Sequence, residues 1–190
     1  MKKYTDIILT ALKGREFESI LEMGCGQGDN LRAINEKYPE VKMWGCDIDE
    51  TRTESASKVP NTTIKLKDIT DTDEPFKRKF DIVFLAATLM YIPEEKIGQV
   101  IKNIKKSAKK EVILIEINVF DEPKEHVEWE YDDKADVKDR RYKYKGYSMR
   151  DYEVLLRKNG FKNIKLKKIP RALWPGINYK DDGYIISAEV

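Results

Sequence analysis

Three observations predict an α/β fold with a doubly wound parallel sheet. Apolar runs of strand length alternate with amphipathic runs of helix length through most of the 190 residues. The first strand breaks at Gly24-Cys25-Gly26-Gln27-Gly28 into a helix. Such glycines let the backbone turn sharply and approach a ligand with no Cβ in the way, and the helix N-terminus offers free N–H groups. The second strand ends in Asp47, about 20 residues beyond the last glycine, where a nucleotide-binding βαβ unit places the acid that holds a ribose diol.

The elements follow in order. Tyr4, Ile7, Ile8 and Leu12 share a helical face, so the chain opens with an amphipathic helix. Strands are expected near 18–23, 41–46, 62–67, 80–86 and 111–118, and helices near 29–38, 50–58 and 94–108. Asp49 is placed to cap the 50–58 helix, because an aspartate there accepts an orphan backbone N–H. Ser148-Met149-Arg150-Asp151 has the form of a capping box with Asp in the Glu position, and its helix stops at Gly160, a favourable C′ residue. Phe161 to Ile169 and Gly183 to Val190 read as two closing strands, joined by a loop with Pro170, Trp174, Pro175 and Gly176. Lys102, Lys105, Lys106, Lys109 and Lys110 read as the wet face and end of the 94–108 helix, since phosphate binding wants a more concentrated basic footprint.

Composition agrees with one compact domain over 1–190. A chain of this length buries roughly 70% of its unfolded surface and needs no disulfide or metal staple. Hydrophobic residues make up 41% and charged residues 37%, with a net charge of +2. One histidine and two cysteines without metal-ligand spacing argue against a zinc site, so Cys25 and Cys46 read as small packing thiols. Ile7-Ile8-Leu9 is too short for a signal peptide core or a membrane span. The expected compartment is cytoplasmic, with no membrane partner.

Glu22 stands two residues before the first glycine, and only Gln27 separates the second glycine from the third. A dinucleotide fingerprint has two residues in that gap, and an extra carboxylate disfavours a pyrophosphate while suiting an ammonium. Glu22-Met23-Gly24-Cys25-Gly26-Gln27-Gly28 resembles the first motif of the class I S-adenosylmethionine-dependent methyltransferases at every defined position. That resemblance implies a Rossmann-like sheet with an antiparallel C-terminal strand, and S-adenosylmethionine as cofactor. It places Glu22, Gly24, Cys25, Gly26, Gly28 and Asn30 at the cofactor. It further implies that Asp47 accepts from both ribose hydroxyls while Ile48 lies against the adenine. Asp68 then takes the adenine amino group and Ile69 packs the ring; the alternative for Asp68 is a strand-end turn residue. The run Phe80 to Ile92 resembles the fourth motif, which delivers Leu85 to Thr88, Ala86 and Ala87 among them, to the methionine end and the substrate. Tyr91 stands where many small-molecule members carry His, so assistance by a histidine there is not implied. Ala86-Ala87-Thr88-Leu89 departs from the Asn/Asp-Pro-Pro-Tyr pattern of nitrogen-specific DNA and RNA enzymes, and no DNA partner is expected.

The segment 119–147 lies outside this common core, beyond the carboxyl ends of the strands, where ligands of open α/β sheets bind. Its first half is acidic and its second basic. The two halves pair with each other as a solvated lid, or Trp129, Tyr131, Tyr142, Tyr144 and Tyr147 form an aromatic wall. Arg141-Tyr142-Lys143-Tyr144-Lys145 alternates as a strand with its tyrosines on one face. The expected reaction is methyl transfer to oxygen or nitrogen of a small polar metabolite, such as a sugar or amino sugar, with Tyr91, Trp129, Tyr142 and Tyr144 at the substrate. A protein or RNA acceptor is the alternative, and a non-catalytic cofactor-binding protein a third reading. Alignment supplies most of the acceleration in such an in-line displacement. Tyr91 and His126 are the candidate catalytic assistants, beside Glu128, Asp132 and Asp133. The plainer reading of His126, in Glu125-His126-Val127-Glu128, is an exposed residue. Oligomeric state is left open.

Overall fold

The computed structural model describes residues 5–73, 75–116, 128–131, 142–145, 149–169 and 183–190. In chain order these form α1 (Thr5–Leu12), β1 (Ser19–Met23), α2 (Asp29–Lys37), β2 (Lys42–Asp47), α3 (Glu50–Ala56), β3 (Thr62–Leu66) and β4 (Phe80–Ala86). A 3-10 turn (Leu89–Tyr91), α4 (Glu94–Ser107), β5 (Ala108–Glu116), β6 (Glu128–Tyr131), β7 (Tyr142–Lys145), α5 (Met149–Lys158), β8 (Lys162–Ile169) and β9 (Gly183–Glu189) follow. The main sheet runs β3-β2-β1-β4-β5-β9-β8. It is parallel from β3 to β5, and β9 lies antiparallel to both of its neighbours.

Apolar continuity explains which strands are central. β1, β4 and β5 are covered on both faces and read as unbroken hydrophobic runs. On one face Leu21, Val83, Leu85, Val112 and Leu114 pack with Ile97, Ile101 and Ile104 of α4 and Leu156 of α5. On the other, Ile20, Ile82, Phe84 and Ile113 pack with Ile8 and Leu12 of α1 and Leu31 and Ile34 of α2. The outermost strands are wetter. In β8, Lys162, Lys165, Lys167 and Lys168 are all exposed, and β3 exposes Lys65 and Leu66.

The punctuation signals act as their chemistry requires. Ile7, Ile8 and Leu12 turn inward from α1, whereas Tyr4 lies outside the described residues. Asp49 caps α3 by accepting the Arg52 N–H at 3.1 Å. Gly160 adopts φ +76° after α5. Its N–H donates to the Arg157 carbonyl, and the Phe161 N–H to that of Leu156, the paired bonds of a Schellman stop. Ser148 lies outside the described residues.

Two expectations need correction. Lys109 and Lys110 belong to β5, which starts at Ala108 directly after α4, three residues earlier than its apolar run suggests. Ala108 already pairs with Phe80, and the two lysines lie beside Asp81, a buried carboxylate at the start of β4. One of its oxygens accepts the backbone N–H groups of Glu18 (2.9 Å) and Ser19 (3.2 Å). Its other oxygen draws Lys109 to 3.5 Å and Lys110 to 3.4 Å, and both cations reach it from strand geometry. The second correction concerns 119–147. The expected strand at 142–145 forms, but it pairs with an unforeseen strand at 128–131, setting Glu128 opposite Lys145, Trp129 opposite Tyr144 and Glu130 opposite Lys143. The backbone of β7 runs beside the 3-10 turn at 89–91.

Asp81 yields a stability prediction. Desolvation pushes its pKa up, but the Glu18 N–H with Lys110 and Lys109 outweighs this and holds it at about 2, against 3.8 for a free aspartate. A depressed folded pKa contributes stability that is complete above 3.8 and disappears as pH falls toward 2. The loss on acid titration is about 2 kcal/mol. Urea unfolding between pH 5 and pH 2 should show wild type losing that much more stability than Asp81→Asn.

Candidate active site

The strand order reverses between β1 and β4, and the turns leaving these strands diverge over the carboxyl edge of the sheet, where open α/β sheets bind ligands. The Gly24 and Cys25 N–H groups donate to the Cys46 carbonyl at 2.8 and 2.9 Å, tying the end of β1 to the end of β2. Gly24 and Gly26 have φ of +78° and +52°, a region that side chains resist. A Cβ on Gly24 would strike the Thr88 side chain, so this glycine is required by close packing. A Cβ on Gly26 would meet nothing within 4 Å, so this position faces open space. Gly28 precedes α2 in a left-handed conformation.

Asp47 lies at the floor of that space. It accepts the Gly26 N–H at 2.8 Å on one oxygen and the Asp49 N–H at 3.0 Å on the other. A carboxylate offers about four lone-pair sites, so each oxygen retains capacity for a ribose hydroxyl. Ile48 beside it is 69% exposed, a large apolar surface left in water. Asp68 takes the Thr70 N–H at 2.8 Å on one oxygen, which braces its loop, and lies half-buried at the carboxyl edge. Ile69 is buried in the core, and the open apolar face next to the acids is that of Ile48.

Glu22 is fully buried and receives the Asn30 side-chain N–H at 2.7 Å. Its second oxygen and the Asn30 carbonyl oxygen are buried with no hydrogen-bond partner among the described residues. Burial raises the Glu22 pKa well above the usual carboxylate value, the Asn30 bond works against this, and Asp47 and Asp29 add to the rise. Two orphan acceptors in one place suit a cationic donor. Asn30 thus orients the acid. Burial also raises both thiols, Cys46 to about 12, which leaves them protonated packing groups.

The opposite wall is the turn after β4. Ala87, a non-glycine residue at φ +50°, donates its N–H to the Ile115 carbonyl at 2.7 Å, and Thr88 Oγ1 donates to the Ala86 carbonyl at 3.2 Å. Tyr91 is exposed at the end of the 3-10 turn. Sequence reasoning missed Glu116, which ends β5 with no exposure and accepts the Leu89 N–H at 3.4 Å. Desolvation lifts its pKa to about 8 against the pull of the Leu89 and Thr88 backbone, and its second oxygen has no partner among the described residues. The available signal was an acid closing the apolar run Val112 to Ile115 at the same edge as Ala86. His126 lies outside the described residues; Trp129, Tyr142 and Tyr144 are placed by backbone only. Among the described residues no His, Cys, Asp and Glu cluster suits a metal ion, and no helix is long and apolar enough to cross a membrane.

A family profile described as "Methyltransferase domain" matches residues 20–111, the stretch that holds the glycine turn, Asp47, Asp68 and the turn after β4. Residues 20–111 are a methyltransferase domain. Trans-aconitate 2-methyltransferase of Variovorax paradoxus is 28% identical over 80 residues, 42% of this chain and 30% of that protein. Ribosomal RNA small subunit methyltransferase H of Thermotoga neapolitana is 34% identical over 98 residues, 47% of this chain and 31% of that protein. The chain thus spans about a third of the length of the curated relatives it matches. An S-adenosylmethionine-dependent methyltransferase from Clostridium acetobutylicum shares the fold, with a TM-score of 0.69 at 14% identity over 98% of this chain and 90% of that one. The methyltransferase fold therefore extends beyond the matched residues to the closing strands β8 and β9. The Glu22–Asn30 pair with acceptors unmet among the described residues, the open Gly26 position, the Asp47 carboxylate and the exposed Ile48 fit S-adenosylmethionine.

Two outcomes follow. Gly26→Val should abolish S-adenosylmethionine binding in calorimetry, because the new side chain both enters the open space and strains the turn at φ +52°, and a lowered melting temperature of the variant reports the strain. Asp47→Ala should lower affinity by about 2–4 kcal/mol through the lost charge-assisted bonds, with S-adenosylhomocysteine affected alike. Glu116→Gln tests the raised carboxyl separately. A free glutamate ionises near 4.5 while this one holds its proton to about 8, so its presence lowers stability as pH rises between those values. The melting temperature of Glu116→Gln relative to wild type should therefore increase from pH 5 to pH 8.

Proposed function

We propose that this protein transfers the methyl group of S-adenosylmethionine to oxygen or nitrogen of a small polar metabolite in the cytoplasm. The observation that carries the cofactor assignment is the buried, half-satisfied Glu22–Asn30 pair beside the open Gly26 position and the backbone-anchored Asp47. When bound, the cofactor supplies an electrophilic methyl group on a sulfonium, open to in-line displacement. The protein's contribution is placement. Glu22 and Asn30 offer acceptors to an ammonium, Asp47 offers its remaining lone pairs to the ribose, and Ile48 offers an apolar surface to the adenine. The Ala86 to Thr88 turn forms the wall between cofactor and acceptor.

On the acceptor side, Tyr91 is exposed on the turn that β7 runs beside. The hairpin of β6 and β7 acts as a cover that excludes water and aligns the acceptor, with Trp129, Tyr142 and Tyr144 as its contact residues. An amine acceptor attacks as the neutral base and sheds its proton afterwards, so no dedicated base is required for it. For a hydroxyl acceptor, Tyr91 and His126 are the proposed proton-handling groups. Ala86-Ala87-Thr88-Leu89 lacks the proline and aromatic residue that stack a flipped base, which supports a metabolite over a nucleobase. The trans-aconitate enzyme, as named, acts on a small molecule; the similarity to a ribosomal RNA methyltransferase favours RNA as the second reading.

Incubation with methyl-labelled S-adenosylmethionine and, separately, a metabolite extract, total RNA and a protein extract distinguishes these readings. Label should enter the metabolite fraction and S-adenosylhomocysteine should accumulate there; label confined to RNA or protein would overturn the acceptor class. With the acceptor in hand, alanine at Trp129, Tyr142 or Tyr144 should leave S-adenosylmethionine affinity within a few-fold. At least one of the three should slow transfer about ten-fold or more, the scale of a lost positioning contact. Normal transfer by all three would place the acceptor elsewhere.

A further inference from the structure

We propose that Asn103 of α4 is a positioning residue for the adenine end of the cofactor site, fixing the loop after β3 so that Asp68 meets the adenine amino group. This rests on the cofactor reading above. Asn103 has no solvent exposure. Its side-chain amide donates to two carbonyls of that loop, Ile69 at 3.0 Å and Asp71 at 2.6 Å. Its own oxygen accepts the Gln99 side-chain N–H at 2.9 Å, which fixes which end of the carboxamide faces the loop.

Packing alone does not explain an asparagine here. The other buried positions of α4 are Ile97, Val100, Ile101, Ile104 and the small Ser107, and a buried carboxamide is costly unless its hydrogen bonds are made. Both amide bonds end on the loop that carries Asp68. Within that loop the Asp71 N–H donates to the Asp68 carbonyl at 3.3 Å, and the Thr70 N–H to the Asp68 carboxylate at 2.8 Å. A second contact from α4, Lys96 Nζ to Thr70 Oγ1 at 3.4 Å, holds the same turn. The backbone on both sides of Thr70 is thus pinned from α4, and the Thr70 N–H that holds the Asp68 carboxylate is held in place with it. Asp68 is half-buried at the carboxyl edge, two residues beyond Leu66, which pairs with Asp47.

The test compares S-adenosylhomocysteine with S-inosylhomocysteine, in which a carbonyl oxygen replaces the adenine amino group. A site built to accept from an amino group rejects an analogue that lacks it. Wild type should bind the adenosyl compound about ten-fold or more tightly than the inosyl compound in calorimetry. Asn103→Ala should lose most of that preference by weakening the adenosyl compound alone, leaving affinity for the inosyl compound within about two-fold. Equal weakening of both ligands, or an unchanged preference, would overturn the proposal by making Asn103 a general structural residue or an idle one. In the wild-type protein, independent of how the variant folds, the Asn103 side-chain amide resonances should shift with the adenosyl ligand and shift less with the inosyl ligand. Resonances that respond identically to the two would also overturn it. If wild type binds neither compound, the cofactor reading itself fails; if it binds both equally, Asp68 does not read the amino group and the proposal falls while the cofactor reading stands.

Discussion

The reversal of strand order between β1 and β4 is the constraint on which the rest of the site depends. Chain growth runs outward from β1 through β2 to β3, then returns across the sheet to β4. The turns after β1 and β4 consequently leave in opposite directions and open a crevice between them. Thr88 from one turn touches the place where Gly24 of the other lacks a side chain. The backbone bonds from Gly24 and Cys25 to Cys46 and from Ala87 to Ile115 lock each turn to the next strand in the sheet. The two turns are therefore set by one sheet and packed against each other at Gly24 and Thr88.

Buried polar groups differ in how far their hydrogen bonds are met. Toward the amino edge, Asp81 is met by two backbone N–H groups and two lysines. Under the loop after β3, Asn103 has partners for both its donor and its acceptor ends. Among the described residues Glu22, Asn30 and Glu116 at the carboxyl edge each retain a buried oxygen with no partner, as does Ser107 at the end of α4. Unmet acceptors are expensive in a folded protein and are tolerated chiefly where a ligand or the chemistry completes them. The two acids among them also have raised pKa values, so their unmet oxygens lie on groups that resist ionisation until a donor arrives.

The portion of this arrangement legible in the sequence is the portion dictated locally. A left-handed turn needs glycine, a helix start rewards Asp49, and a Schellman stop favours Gly160, so these positions follow from residue type and spacing. Central strands announce themselves because burial on two faces demands unbroken apolar runs. Glu116, Asp81 and Asn103 were not legible, because each owes its role to a neighbour distant in sequence: Leu89, the lysines of β5, and the carbonyls of Ile69 and Asp71. The early start of β5 has the same origin, since lysines look like a solvated helix end until Asp81 is brought beside them. β6 is only four residues long, and its Glu-Trp-Glu-Tyr alternation marks a strand only once Trp129 is set opposite Tyr144 of β7.

The lysines of β8 bear on how the molecule behaves in a crowd. A strand at the side of a sheet offers a template on which a strand from another molecule can continue the ladder. Among the described residues β8 ends the sheet, and a newcomer along it would have to strip water from the exposed Lys162, Lys165 and Lys167. The charges work as a fence against fibre growth while leaving the catalytic edge of the sheet untouched. Concentrated salt lowers such a fence by shortening the reach of each charge to a few ångströms, and acetylation of the lysines removes it.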